Sequence, residues 1–167
     1  DKAEGWHREV VVGDMDKGHA GLQLMKAIIA TVPGVPCIYQ GDEYGVPGAN
    51  DPDNRDMMTF ECSNDHQVKE YSQTQALLKY RRSSMPMMYG DFRTLYVDDE
   101  AWVFLRHYMG DWAVVAMNVR GAEKSIEVEL PDFVECEAVK VAIATEGANA
   151  QLTERGTIEI AVPAYGY

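Results

Sequence analysis

The chain has 167 residues, 46% hydrophobic and 25% charged, and its 27 acidic against 15 basic side chains give a formal charge of −12 at pH 7. That composition is the profile of a globular protein. The charge balance denies it the basic face that binding a phosphate backbone or an anionic surface requires, so neither nucleic acid nor membrane is expected as a partner.

No run of about 18 apolar residues is available for a membrane span. The opening DKAEGWHREV lacks the basic start and apolar core of a signal peptide, which leaves the compartment, periplasm or cytoplasm, undetermined. The first periodic element is a helix over about His19 to Val32 (HAGLQLMKAIIATV). It is nearly apolar all round apart from Gln23 and Lys26, so burial on most sides is expected, and it must stop at Pro33-Gly34. Val35 to Tyr39 follows as a short continuous apolar run bounded by Gly and Pro, the pattern of a strand covered on both faces in a parallel sheet. Next comes a loop from Gly41 to Cys62, longer than the roughly 12–15 residues a purely connecting loop uses, and shaped by its Gly and Pro. A second helix is expected over Asp65 to Arg82. Asn64 or Asp65 would cap it, Val68, Tyr71 and Leu78 would form its buried stripe, and Arg81 and Arg82 would face the negative end of its own dipole. The helical pattern stops before Pro86.

From Tyr89 onward the period changes from 3.6 to 2. Strands are expected over Phe92–Val97, Trp102–Tyr108, Trp112–Val119, Ser125–Leu130, Val139–Ala144 and Thr157–Val162, with turn chemistry between them. Complete alternation in Ser125–Leu130 means one buried and one wet face. Short strands at this spacing read as an antiparallel sandwich. The chain therefore divides between Arg82 and Asp91, into residues 1–87 of α/β character and an all-β part over 88–167. One strand and two helices do not make a closed α/β unit: a lone parallel strand leaves both edges open and the helices uncovered. The first part reads as a piece of something larger, and self-association through its open edges is expected.

Chemistry concentrates in "VPGVPCIYQGDEYGVPGANDPDNRDM". Loops following parallel strands are where α/β barrels place ligand contacts. In "DPDNR", Asp51 and Arg55 lie four apart, and a carboxylate with a guanidinium on one turn can meet vicinal hydroxyls as acceptor and forked donor. The same spacing also suits an ion pair that only pins the loop. Calcium is a third reading of Asp51, Asp53 and Asp56, but the register asks for an oxygen ligand where Arg55 stands. Asp42 and Glu43 in "GDEYG" are adjacent, so they point apart on extended chain and suit structural hydrogen bonds better than a shared bond-breaking role. His7, His19, His66 and His107 form no metal pattern, and no nucleotide or serine-hydrolase motif is present. Cys37, Cys62 and Cys136 are too widely spaced for a zinc site and read as plain thiols, mostly packed as small hydrophobes. Trp102, Phe104, Tyr108 and Trp112 could stack on sugar rings or fill a core.

"PGVPCIYQGDEYGVPGANDPDNRDMM", Pro33 to Met58, closely resembles the segment around the eighth barrel strand of α-amylase-family glycoside hydrolases, family 13. It looks most like the neopullulanase, cyclomaltodextrinase and maltogenic amylase group. The flanking helices and an antiparallel C-terminal domain fall in that family's order. The resemblance implies the end of a (β/α)₈ barrel, a TIM barrel, followed by an all-β sandwich, from a retaining α-glucan hydrolase acting on α-1,4-glucans, cyclodextrins or pullulan, without cofactor or metal. It implies that Asp51 and Arg55 contact a glucose of the substrate and that Asp42 and Glu43 are mainly structural. The family's catalytic carboxylates precede this region, and Lys2-Ala3-Glu4 does not supply the arginine expected after the third of them, so Asp1 is not assigned that role. No catalytic residue is expected here, and hydrolysis by this chain alone is not expected. A free-standing carbohydrate-binding or scaffold module, or part of a transglycosidase or isomerase, fits the same residues.

Overall fold

The computed structural model describes residues 13–48, 51, 53–55 and 57–167. Helix α1 spans Met15–Thr31, and the Asp14 carboxylate caps it by accepting from the Lys17 amide at 3.1 Å. This cap starts the helix before the apolar pattern does, because an N-cap acceptor serves donors that the apolar stripe does not. Leu24, Lys26, Ala27, Ala30 and Thr31 are buried, whereas Met25 is exposed. Burial is thus one-sided, not on most sides as expected, because the helix is packed along a single stripe.

Val35–Tyr39 corrects the sequence reading. Among the described residues it forms no ladder, and Val35 is 93% and Tyr39 56% exposed. A strand exists only through its partner's backbone, and no described backbone lies alongside this run.

Helix α2, Asp65–Ser83, is capped by Asn64, which accepts from the Gln67 amide at 3.0 Å while Gln67 Oε1 accepts from the Ser63 amide at 2.7 Å. This resembles a capping box shifted by one residue, because Gln67 bonds the amide before the N-cap and not that of Asn64 itself. Its buried face is Glu70, Thr74, Leu77 and Arg81, whereas Val68 and Tyr71 of the expected stripe are exposed. The shift has a physical reason: α2 packs on α1, whose facing side presents Gln23 and Lys26, so polar side chains go inward where they find partners. Pro86 does not merely end a helix. It stands in the first turn of a short helix α3, Met85–Tyr89, where Ser84 is the cap and a missing N–H costs nothing.

Two three-stranded antiparallel sheets follow. The first has order β1-β2-β3 (Asp91–Val97, Ala101–Tyr108, Asp111–Asn118). The second has order β4-β6-β5, with β4 Lys124–Val128, β5 Asn149–Leu152 and β6 Ile158–Val162. The expected strands match within two residues except Val139–Ala144, which is unpaired; Asn149–Leu152 pairs with β6 instead. Four residues reading NAQL are too short for alternation to reveal, and their strand character comes from the backbone register with β6.

Val103 of β2 packs with Ile126, Val128, Ile158, Ile160 and Val162 between the sheets. Phe104, on the opposite face, packs with Val115 and Met117 against Leu24 of α1 and Met87 of α3. Because β2 is covered on both sides, its alternation is hidden under a continuous apolar run. This settles the aromatic side chains. Phe104 is core, Trp102 tilts against it, Trp112 Nε1 donates to the Glu135 carbonyl at 3.2 Å, and Tyr108 lies against Tyr89. The thiols are free, but Cys37 is exposed and Cys62 and Cys136 are only partly covered, so they do not pack as small core hydrophobes. None lies in a buried cluster.

Two buried guanidiniums bind the layers together. Arg81 of α2 turns away from its own helix end and donates to the carbonyls of Ala30 (2.7 Å), Val32 (3.1 Å) and Gly34 at the end of α1. Arg106 of β2 donates to Thr31 O at 2.6 Å, Gly90 O at 2.9 Å and Asp91 O at 3.3 Å. Burial pushes both guanidiniums down from their ordinary value, and for Arg106 the nearby Arg81 adds to this. The negative end of α1's dipole and its orphan carbonyls compensate these charges.

At the far end of the first sheet, Asp98 accepts from Lys124, from the Tyr96 hydroxyl and from the amides of Glu100 and Ala101. These bonds, Lys124's first, hold the Asp98 carboxyl well below the usual carboxylate range; Asp98 and then Glu100 hold the Lys124 ammonium above its ordinary value. A depressed carboxyl stabilises the fold above its unfolded value of about 4 and loses that contribution as the pH falls towards the folded-state value. A raised ammonium stabilises below its unfolded value of about 10.4 and loses its contribution as the pH rises beyond it. Asp98→Asn should therefore lower the Tm at neutral pH, and the gap from the parent should close as the pH is taken below about 4. Thermal melts followed by circular dichroism at several pH values check this; a gap independent of pH would contradict it.

Candidate functional site

The sharp chain reversal after Tyr39 sets up the site. Gly41 (φ 96°) and Gly45 (φ 68°) bracket a short 3₁₀ turn over Asp42–Tyr44, at positive φ values that favour glycine. Glu43 Oε2 accepts from the Gly41 amide at 2.8 Å, and Tyr44 is buried, stacked on Tyr71 with centroids 5.1 Å apart. The acidic pair thus shapes the turn: Glu43 bonds back to the chain and Asp42 begins the 3₁₀ segment.

Beside this turn runs a groove of about 1030 Å³, lined by residues of two segments, Tyr39 to Gly48 (among them Gly41, Asp42 and Val46) and Asp53 to Thr59 (among them Arg55). Arg55 ends a second 3₁₀ turn, Asp53–Arg55. Its Nε and Nη2 donate to Asp51 Oδ1 at 3.0 Å and Oδ2 at 3.2 Å, a two-pronged pair with side chains 71% and 44% exposed. The structure therefore brings Asp51 and Arg55 together as an ion pair. A guanidinium tied through Nε and Nη2 leaves its Nη1 hydrogens unused among the described residues, and a carboxylate keeps unused lone pairs, so the pair retains both donors and acceptors for a polyol. The same contact places a positive charge against Asp51, where a calcium ligand set would need another oxygen. Asp1, His7 and Asp56 lie outside the described residues.

Sequence reasoning missed the polar cluster under the turn. Lys26 (2% exposed) donates to Glu70 Oε2, and Glu70 (1% exposed) also accepts through Oε1 from His19 Nδ1 and Gln23 Nε2, each at 3.1 Å. A carboxylate only accepts, so His19 carries its proton on Nδ1, and its buried Nε2 has no partner among the described residues. The His19 ring stacks on His66 at 5.1 Å, nearly parallel. The signal available in the sequence was Lys26 itself, the lone charge inside an apolar helical stretch, which demands a partner of opposite sign when buried. A second cavity, about 330 Å³ and mostly apolar, lies between the helices and the two sheets. It holds no cluster of chemistry-bearing groups.

No protein-family model matches the chain. Two relatives align with part of it. The β/α-amylase of Paenibacillus polymyxa is 39% identical over 89 residues, covering 53% of this chain and 7% of that protein. The cyclomaltodextrinase of Thermoanaerobacter pseudethanolicus is 35% identical over 100 residues, covering 59% of this chain and 17% of that protein. Other relatives are named neopullulanase and cyclomaltodextrin glucanotransferase. The chain thus spans less than a fifth of the length of either enzyme quantified above. Among solved structures, the native debranching enzyme of Nostoc punctiforme shares the fold with a TM-score of 0.74 at 23% identity, covering 88% of this chain and 30% of that one. Over part of its length the chain is therefore similar to enzymes named cyclomaltodextrinase, neopullulanase and α-amylase, and it shares its fold with part of a solved debranching enzyme.

Proposed function

We propose that this chain is the C-terminal segment of a retaining α-glucan hydrolase, acting on α-1,4-glucans, cyclodextrins or pullulan. Residues 1–87 contribute the end of a (β/α)₈ barrel and residues 88–167 a β-sandwich domain. The open run Val35–Tyr39 is the eighth barrel strand, paired only when the rest of the barrel is present. Asp51 and Arg55 are the substrate contacts, and the bond-breaking carboxylates belong to the part of the relatives that this chain does not span.

The observation carrying this reading is the exposed, two-pronged Asp51–Arg55 pair, whose Arg55 lines a groove, in a chain whose relatives are glucan-acting enzymes. Retaining hydrolysis needs two carboxyls about 5–5.5 Å apart across the glycosidic bond. Of the acids near the groove, Glu43 bonds its own turn and Asp51 bonds Arg55.

Calorimetric titration of the 167-residue chain with maltoheptaose should show millimolar or tighter binding, abolished by Arg55→Ala. No binding by the parent chain would leave a scaffold without a glucan site. The same material should release no maltose from pullulan or cyclodextrin, and release would overturn the assignment of the catalytic groups to the missing part. The glucanotransferase relatives, such as that of Geobacillus stearothermophilus, favour a second reading, in which the parent transfers glycosyl groups to sugar acceptors instead of water.

A further inference from the structure

The groove and the buried polar cluster meet at one turn. The 3₁₀ segment Asp42–Tyr44 is closed by amides donating from Tyr44 to Gly41 O (3.0 Å), from Gly45 to Asp42 O (3.1 Å) and from Val46 to Gly41 O (3.0 Å). Its groove side is the wall formed by Gly41, Asp42 and Val46. Its other side rests on the cluster. A Cβ on Gly45 would stand 2.9 Å from His19 Cε1 and 3.0 Å from Glu70 Cγ, so backbone and cluster are in full contact. Lys26 Nζ reaches across to Asp42 O at 3.5 Å and to Glu70 O at 3.4 Å while it bonds the Glu70 carboxylate.

Stability alone does not account for this chemistry. Replacing a buried ion pair by apolar groups of similar volume is often neutral or stabilising, whereas directional polar contacts specify one geometry. Here Lys26 donates to Asp42 O on the turn that walls the groove, and the His19 and Glu70 side chains that share its network pack against Gly45 of the same turn. We infer that Lys26, Glu70 and His19 are positioning residues for the sugar-binding groove, fixing the Asp42–Tyr44 turn that lines it together with Arg55, without touching the ligand. This rests on the glucan-binding reading of the groove. Its substance is that hydroxyl recognition by Arg55 needs the neighbouring turn of the groove held in register, and that turn is held by three side chains on α1 and α2.

The test uses Lys26→Met/Glu70→Gln, which removes both charges together, keeps an acceptor for His19 and Gln23, and strands no buried ion. Amide hydrogen exchange at Tyr44, Gly45 and Val46 should speed up by at least about tenfold, while amides of the central strand β2 exchange as in the parent. Maltoheptaose affinity should fall about tenfold, the equivalent of roughly one hydrogen bond to a charged group. Unchanged exchange at these three amides overturns the inference whatever the affinity does, and so does faster exchange with undiminished affinity. Should the parent chain bind no maltoheptaose, the glucan reading fails, and the exchange pattern still decides whether the cluster holds the turn. If the double variant does not fold, Gly45→Ala presses on the same contact from the turn side with the charges intact. It should then give the same local exchange pattern, and its absence overturns the inference.

Discussion

Lys26→Met as a single substitution should destabilise the chain by about 3–5 kcal/mol, because it leaves the Glu70 carboxylate buried without its cation. Methionine fills nearly the same volume, so the loss is electrostatic and not a cavity effect. Against a total of about 5–15 kcal/mol for an ordinary domain, this removes a large share of the stability. Urea unfolding followed by tryptophan fluorescence measures it. Adding Glu70→Gln should restore most of the loss, since no ion is then stranded. A single variant costing less than about 1 kcal/mol would show the pair to be effectively solvated, the value typical of exposed pairs.

Arg106→Met should be as severe. The Arg106 side chain is 1% exposed and donates to the carbonyls of Thr31, Gly90 and Asp91. Each buried acceptor left unpaired costs about 1–3 kcal/mol, so a loss of about 4 kcal/mol or more is expected. Arg106→Lys should recover only part of it, because a single ammonium cannot reproduce a fork that serves α1 and the start of β1 together. Arg120→Ala is the matched control. Its ion pair with Glu100, at 3.4 Å, is largely exposed, and its removal should move stability by no more than about 0.5 kcal/mol. Equal effects at Arg106 and Arg120 would show that burial is not what makes the former matter.

The elements that could be read from the sequence were those whose causes are local. The N-cap at Asn64, the turn at Pro33-Gly34 and the alternation of Ser125–Leu130 act within a few residues, and the corresponding elements appear where expected. Errors arose where a distant partner decides. Val35–Tyr39 has the composition of an interior strand but no described neighbour, whereas NAQL has little strand character and pairs because β6 lies beside it. The inward face of α2 could not be inferred from hydropathy, since the residues it buries are Glu70, Thr74 and Arg81 as well as Leu77. Their burial is dictated by Lys26 and the carbonyls of α1, which no window along α2 contains. Asp51 and Arg55 were legible as a pair from their spacing of four, and they form one. The cluster beneath the Asp42–Tyr44 turn spans about fifty positions of sequence and was legible only as an unexplained lysine.

The guanidinium of Arg106 reaches Thr31 across 75 positions of chain. During synthesis the last turn of α1 leaves the ribosome long before the strand that completes it, so the Thr31 carbonyl remains hydrated until β2 has been made and has docked. Closing a loop of that length carries an entropic cost before any contact offsets it, and folds dominated by such distant contacts assemble slowly. The nascent chain therefore passes through an interval in which its first helix is made but not yet locked, the interval in which chaperones and neighbouring nascent chains have access to its apolar stripe.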